Sequence, residues 1–357
     1  MMSRLNGRRG FTLVELGALI AVGGSIGAVV GPGAGRLQKA NLETKSQWVH
    51  HELARRQFMY AGDHLGAITG PNTSGSEWNK SLLSSFSNEG VETLEFDTAG
   101  GNPTSQGDWI TPLVGDAYGF SENRAIRTHQ KYEVIADPTA DSLVDVLFFG
   151  QNPVDSSQFL DVIQGSGIRQ QSFLQIQSFS HYSVDHVRNN VFIDSEEDIG
   201  YREIFAVQSS SDMALTPEGY SPAIHNAGKQ LSNKVMFADG TRFYSDTIGL
   251  SIDIETTAFL YSKDSDIGPM LHGSAAYGRD FSPSPTQTNL DLSFRKKDGE
   301  GLYVTMFDGS LQYMTREQAW TDPTPWYPSG SVWQSSENAT PESQAWVKKN
   351  LPDGIIH

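Results

Sequence analysis

The chain of 357 residues carries 26 Lys and Arg against 42 Asp and Glu, a formal charge of −16, and has no cysteine. So acidic a surface argues against nucleic-acid partners, and without disulfides an exported domain of this size must rest on its core. Thirty-five glycines, with many Ser, Asn and Asp, predict a loop-rich exterior that contains strands.

Residues 1–10 form a basic leader, with Arg4, Arg8 and Arg9 and no acid. Residues 11–30 hold one charge, Glu15, and a helix of that length spans ~30 Å, the hydrocarbon thickness of a bilayer. The arginines place the N-terminus in the cytoplasm and the rest of the chain outside. Small residues at 28–35 leave a cleaved secretory signal as the lesser reading. That reading does not account for Glu15, since an ionised acid at the bilayer centre costs ~2.5–3.5 kcal/mol and usually has a function.

The segment Gly10-Phe11-Thr12-Leu13-Val14-Glu15-Leu16 resembles the cleavage and methylation motif of type IV prepilins and of the pseudopilins of type II secretion systems. The resemblance covers about the first 30 residues. It implies that a prepilin peptidase cuts after Gly10 on the cytoplasmic face, that the new amine of Phe11 is methylated, and that the span stays as an assembly helix. It implies that Glu15 pairs with the N-terminal amine of a neighbouring pilin or pseudopilin subunit. Opposite charges compensate each other in a low dielectric, and a methylated amine keeps its charge. The implied location is the inner membrane, crossed once, with a periplasmic head and assembly into a filament. Gly17, Gly23, Gly24 and Gly27, then Gly31, Pro32, Gly33 and Gly35, make this span poorer in Leu, Ile and Val than the family's, and predict a kink or unwound stretch at 31–35.

Residues 36–60 lack Gly and Pro and predict an amphipathic stalk, with Leu37, Ala40, Trp48, Val49, Leu53 and Met59 on its inward face. Asp63-His64-Leu65-Gly66 supplies a C-terminal stop within a stalk unit of 36–66, and His50 and His51 read as surface or packing residues. The segment from Phe58 to Gly66 resembles the Tyr-Ala-x-Asp-x-x-Gly segment that follows the stalk in a large bacterial group of prepilin-like proteins. Residues 67–320 then read as the head. Trp78, Leu82, Leu83 and Phe86 suggest a small helix, and apolar runs at 143–149, 173–176, 191–193, 204–207, 235–237, 250–254 and 257–261 suggest strands. No second long helical pattern is visible. The expected fold is α+β: a long N-terminal helix, half transmembrane and half stalk, packed on an antiparallel sheet in a pilin-like head with loop-rich insertions.

Residues 235–244 and 304–313 align with each other, each reading as a strand, an Asp-Gly turn at Asp239-Gly240 or Asp308-Gly309, and a return strand. The same bacterial group carries a Phe-Ala-Asp-Gly segment preceded by a histidine. His225 stands in that place here, with a longer spacer. Residues 315–320 suggest a short helix ahead of the C-terminal extension, 321–357, in which 322–341 reads as an extended run, whose Trp326 and Trp333, with Trp320 and Trp346 beside it, either dock on the sheet or meet a partner.

Catalytic chemistry is thin. His181, Asp185 and His186 offer at most three metal ligands from one segment, and an exposed polar loop explains them more simply. Asp194, Glu196, Glu197 and Asp198 are rich in oxygen ligands suited to calcium, but the glycine-bearing calcium-loop spacing is absent. No base, nucleophile and orienting group assemble at readable spacing, so neither an enzyme nor a cofactor is expected. The leading expectation is a structural subunit of a pseudopilus or pilus-like filament that contributes to protein secretion. The alternatives are a glycan-binding or enzymatic head on a pilin-like anchor, and a membrane-anchored protein that does not assemble.

Overall fold

The computed structural model describes residues 33–70, 104, 108–140, 143–147, 155–180, 183, 213–240, 243–245, 249–252, 265–266, 294–334 and 339–357. The leader, the apolar span, the helix expected at 78–86 and the strands expected at 191–193, 204–207 and 257–261 lie outside the described residues. The chain divides into two compact units, Met1–Thr44 and Lys45–His357.

Helix α1 runs Gly33–Asp63, so the unwinding expected at 31–35 does not extend to Gly33 or Gly35. Glycine costs least at a helix start, where the first amides have no intrahelical acceptor to lose. In the first unit, Thr44 Oγ1 donates to Ala40 O within the helix. In the second unit the helix ends as the glycine signal predicts: Gly66 N donates to Ala61 O at 2.7 Å, with Leu65 and Gly66 at φ 56° and 87°.

The second unit is α+β. Its main sheet has the order β7-β2-β4-β8-β9, built from β2 (Phe173–Ile176), β4 (Val235–Asp239), β7 (Ser265–Asp266), β8 (Gly301–Met306) and β9 (Leu311–Thr315). The pairs β2/β4, β4/β8 and β8/β9 are antiparallel, and β7 runs parallel to β2. From Lys45 onward α1 packs on this sheet, where Val49, Leu53 and Ala54 join Phe173, Phe237 and Val304 in one core.

The buried face of α1 is not the one its apolar pattern suggests. Val49 and Leu53 are buried, but Trp48 and Met59 are 62% and 58% exposed and Ala40 is exposed too, while Ser46, His50 and Gln57 are fully buried. The helix is turned toward these polar residues because the elements beneath it supply their partners. Gln57 Oε1, for example, accepts from Thr69 Oγ1 at 2.7 Å.

The two Asp-Gly segments have different fates. β8 and β9 form the expected hairpin around Gly309, at φ 84°. The first segment makes no hairpin: β4 lies between β2 and β8, whereas β5 (Phe243–Ser245) belongs to a separate three-stranded sheet, β1-β6-β5, with β1 (Val146–Leu147) and β6 (Gly249–Ile252). Gly240 lacks the positive φ of a tight turn, and its N–H donates to Ser172 O, prolonging the β2/β4 ladder. The Asp239 side chain is used inside the protein and is not available to shape a turn.

Helices α2 (Thr111–Tyr118), α3 (Arg124–Val134) and α4 (Ser156–Gly165) are absent from the sequence reading. α3 hides from an apolar pattern because it buries Arg124, Arg127 and Lys131, while Ala125 and Tyr132 join Val144, Phe159 and Ile168 in a second small core. β3 (Ala214–Leu215) pairs with β10 (Val332–Trp333). The expected short helix is α5 (Arg316–Thr321), capped by a reciprocal Thr315/Gln318 box. After a single 3₁₀ turn at Thr324–Trp326 and β10 comes α6 (Pro341–Asn350), which the sequence reading lacked. Trp326, Tyr327, Val347, Leu351 and Ile356 are part of the main core, and Trp320, Trp333 and Trp346 pack against it, so the tail docks on the head.

Candidate functional site: a buried charge cluster beneath the helix

Five charged or ionisable side chains from separate parts of the chain meet between α1 and the sheet. His50 comes from α1, Asp137 from the loop after α3, Asp239 from the end of β4, and Arg295 and Lys296 from the segment before β8. All five are nearly or fully buried, and formal charges of two acids and two bases balance.

Asp137 has its lone pairs fully engaged. Oδ2 accepts from Lys296 Nζ at 2.5 Å, Ser46 Oγ at 2.9 Å and Arg295 Nη2 and Nε at 2.9 and 3.0 Å. Oδ1 accepts from the N–H and hydroxyl of Thr139, both at 2.8 Å. Burial opposes its charge, but the Arg295 and Lys296 cations outweigh burial and hold this carboxyl far below the usual carboxylate range.

Asp239 is the second anion. Oδ2 accepts the backbone N–H of Tyr303 at 2.8 Å and lies 3.7 Å from Lys296 Nζ, while Oδ1 takes Arg295 Nη2 at 3.2 Å and His50 Nε2 at 3.1 Å. Burial again works against ionisation, and Lys296, Arg295 and His50 reverse it, leaving the carboxyl below its ordinary range. In return, although burial pulls Arg295 down, Asp239 and Asp137 raise it above the ordinary guanidinium value. His50 Nε2 donates to Asp239, because a carboxylate only accepts, and Nδ1 shares a 2.8 Å hydrogen bond with Thr305 Oγ1.

Thr305, His50 and Asp239 therefore reproduce the connectivity of a hydroxyl, imidazole and carboxylate relay. All three are buried without exposure, so no substrate from solvent meets the hydroxyl in this structure. Chemistry here is confined to the protein's own groups. Removing one partner would leave an uncompensated charge in a dry interior, which typically costs ~3–5 kcal/mol.

A second polar knot supports α2 and α3. Asp108 accepts from Thr104, Ile110 and Thr111 and lies 3.3 Å from Lys131 Nζ, and Arg124 grips Asp155 at 2.6 Å. Despite burial, Lys131 and Thr111 keep Asp108 below the ordinary range. These residues hold a loop in place.

Gly10, Phe11 and Glu15, together with His181, Asp185, His186 and the acidic run Asp194, Glu196, Glu197 and Asp198, lie outside the described residues. His51 is exposed, as expected, and His50 is a packing residue with charged partners. His225 does not reach Asp239-Gly240. It lies against the helix end, with Nδ1 3.1 Å from where a Cβ on Gly66 would stand, and Ile224 N donates to Gly66 O at 2.9 Å. The segment 58–66 and the segment around His225 thus meet. Among the described residues no group of three His, Cys, Asp or Glu is placed to hold a metal ion, and no helix is long and apolar enough to cross a membrane.

The sequence reading placed His50 and Asp239 in other roles and missed Asp137, Arg295 and Lys296. The one available signal was Arg295-Lys296 ahead of an apolar strand, and charges beside a strand ordinarily read as solvated. Comparison with known proteins finds no matching family model, no matching curated protein and no matching solved structure.

Proposed function

We propose that this protein is a non-enzymatic structural subunit of a pseudopilus or type IV pilus-like filament and contributes to protein secretion. The observation that carries the reading is the segment Arg8-Arg9-Gly10-Phe11-Thr12-Leu13-Val14-Glu15, a basic leader joined to an apolar span with one acid near its start. In this reading a prepilin peptidase cleaves after Gly10, Phe11 is the methylated terminus, and Glu15 pairs with the terminal amine of a neighbouring subunit. The subunit waits in the inner membrane with its head in the periplasm. A helix keyed to a mainly antiparallel sheet by buried charges suits a part that must hold its shape in an assembly, and the enclosure of Thr305, His50 and Asp239 favours structure over turnover.

Mass spectrometry of the protein from its native membrane tests this reading directly. The expected mature terminus is methylated Phe11, and Glu15→Lys is expected to abolish co-assembly without changing processing. An intact leader, or cleavage near residue 35, would refute the proposal.

A further inference from the structure

The cluster contains more than an ion pair needs. Lys296 Nζ and Asp137 Oδ2 are 2.5 Å apart, and both side chains are fully buried. A second carboxylate, Asp239, stands 3.7 Å from the same nitrogen. Aromatic groups close the site: the Tyr303 ring centre is 5.5 Å from Nζ, and Phe173 packs edge-on against His50. An amine held against a carboxyl group, away from water and bridged to it by the Ser46 hydroxyl, 2.6 Å from Nζ and 2.9 Å from Asp137 Oδ2, meets the positional requirements of amide condensation.

We propose that Asp137 and Lys296 join through an internal isopeptide bond. The ammonium first passes one proton directly to Asp137 Oδ2, to which it already donates at 2.5 Å, a transfer that burial favours and Arg295 opposes. The free Nζ electron pair then attacks Cγ of Asp137. Oδ1, already accepting from the N–H and hydroxyl of Thr139, stays as the amide oxygen. A second proton follows from Nζ through the Ser46 hydroxyl, which accepts from Nζ at 2.6 Å and donates to Oδ2 at 2.9 Å, and Oδ2 then leaves as water when its bond to Cγ breaks. The third proton stays on the amide nitrogen, so carboxylate plus ammonium become amide plus water with no oxidant or reductant.

Arg295 has two effects. It stabilises the ionised Asp137 before reaction and holds Oδ2 in place through Nε and Nη2, while the N–H and hydroxyl of Thr139 face Oδ1, the oxygen on which charge gathers when Nζ adds to Cγ. After condensation the remaining charges still balance, with Arg295 and Asp239 3.2 Å apart. The bond ties the loop after α3 to the segment before β8 across a sequence separation of 159. It rests on the cluster geometry alone and is independent of the filament reading.

The test is a tryptic digest of the full chain, extracted from its membrane and denatured, read by tandem mass spectrometry. The expected product is one branched peptide in which Lys296 is attached at Asp137, one water lighter than the sum of its parts. Recovery of the Asp137 peptide unlinked from the wild-type protein overturns the proposal, whatever any variant does. Asp137→Asn is expected to yield the same branched peptide by losing ammonia in place of water. Ser46→Ala is expected to leave the peptides separate; a linked product from that variant would remove Ser46 from the proton path and overturn the step as written.

Discussion

Residues 235–244 and 304–313 carry nearly the same message in sequence and play opposite parts in the structure. In the second segment, Asp308 is exposed, its Oδ1 accepts the N–H of Ser310 at 2.9 Å, and Gly309 takes the left-handed conformation that lets β8 return as β9. In the first, Asp239 is buried among His50, Arg295, Lys296 and the Tyr303 amide, and the chain leaves the sheet for another. An Asp-Gly pair offers a turn, but whether the turn forms depends on what else competes for the carboxylate. Two cations and an imidazole in a dry interior outbid one local amide.

The widest separation between the two segments is expected from removing each acid. Asp239→Ala strands Arg295 and Lys296 with one carboxylate too few and should cost ~3–5 kcal/mol. Asp308→Ala loses one exposed hydrogen bond and should cost ~0.5–1 kcal/mol. Urea unfolding of the two variants measures both, and equal costs would erase the distinction drawn here.

Acid should expose the same contrast. Asp239 and Asp108 titrate below their ordinary range when folded, so the stability they confer is present above pH ~4 and is lost as pH falls toward their folded values. The unfolding midpoint should drop steadily as pH falls below about 4. Asp239→Asn should flatten that slope, and Asp308→Asn should leave it unchanged.

The glycines separate the two segments by the ranking of variants at each. Gly309→Ala places a side chain at positive φ, with its Cβ 2.9 Å from Phe58 Cε2, the outer end of an exposed ring that can turn aside, and should cost ~1–2 kcal/mol; Gly309→Asn should recover part of it because Asn tolerates that conformation. Gly240→Ala should cost ~1–3 kcal/mol for a different reason, since its Cβ would fall 2.4 Å from Leu174 Cδ1 in the core. There Asn should be worse than Ala, being larger and polar. Thermal melts of the four variants would show the reversed ranking.

Much of the scaffold is legible locally. The stalk between its glycine-rich start and Gly66, strand β2 at its full extent, the β8/β9 hairpin and the short helix after Thr315 all follow from period, breakers and caps. Such signals act over a few residues and need no distant partner. α3 escaped because its buried Arg124, Arg127 and Lys131 look like a solvated surface until their partners are known.

By itself, the sequence determined the basic leader, the apolar span with Glu15, the helix that follows and the mixed α+β character of the head. Only the tertiary structure decided which face of α1 turns inward, why Asp239 makes no turn, and that His50, Asp137, Arg295 and Lys296 belong together. The physical reason is the same in each case. Apolar periodicity ranks residues by their cost of leaving water, and that cost is reversed for Ser46, His50 and Asp239 by hydrogen bonds and opposite charges contributed from far along the chain. Pattern records what each residue prefers alone, whereas the fold supplies the partners that change the preference.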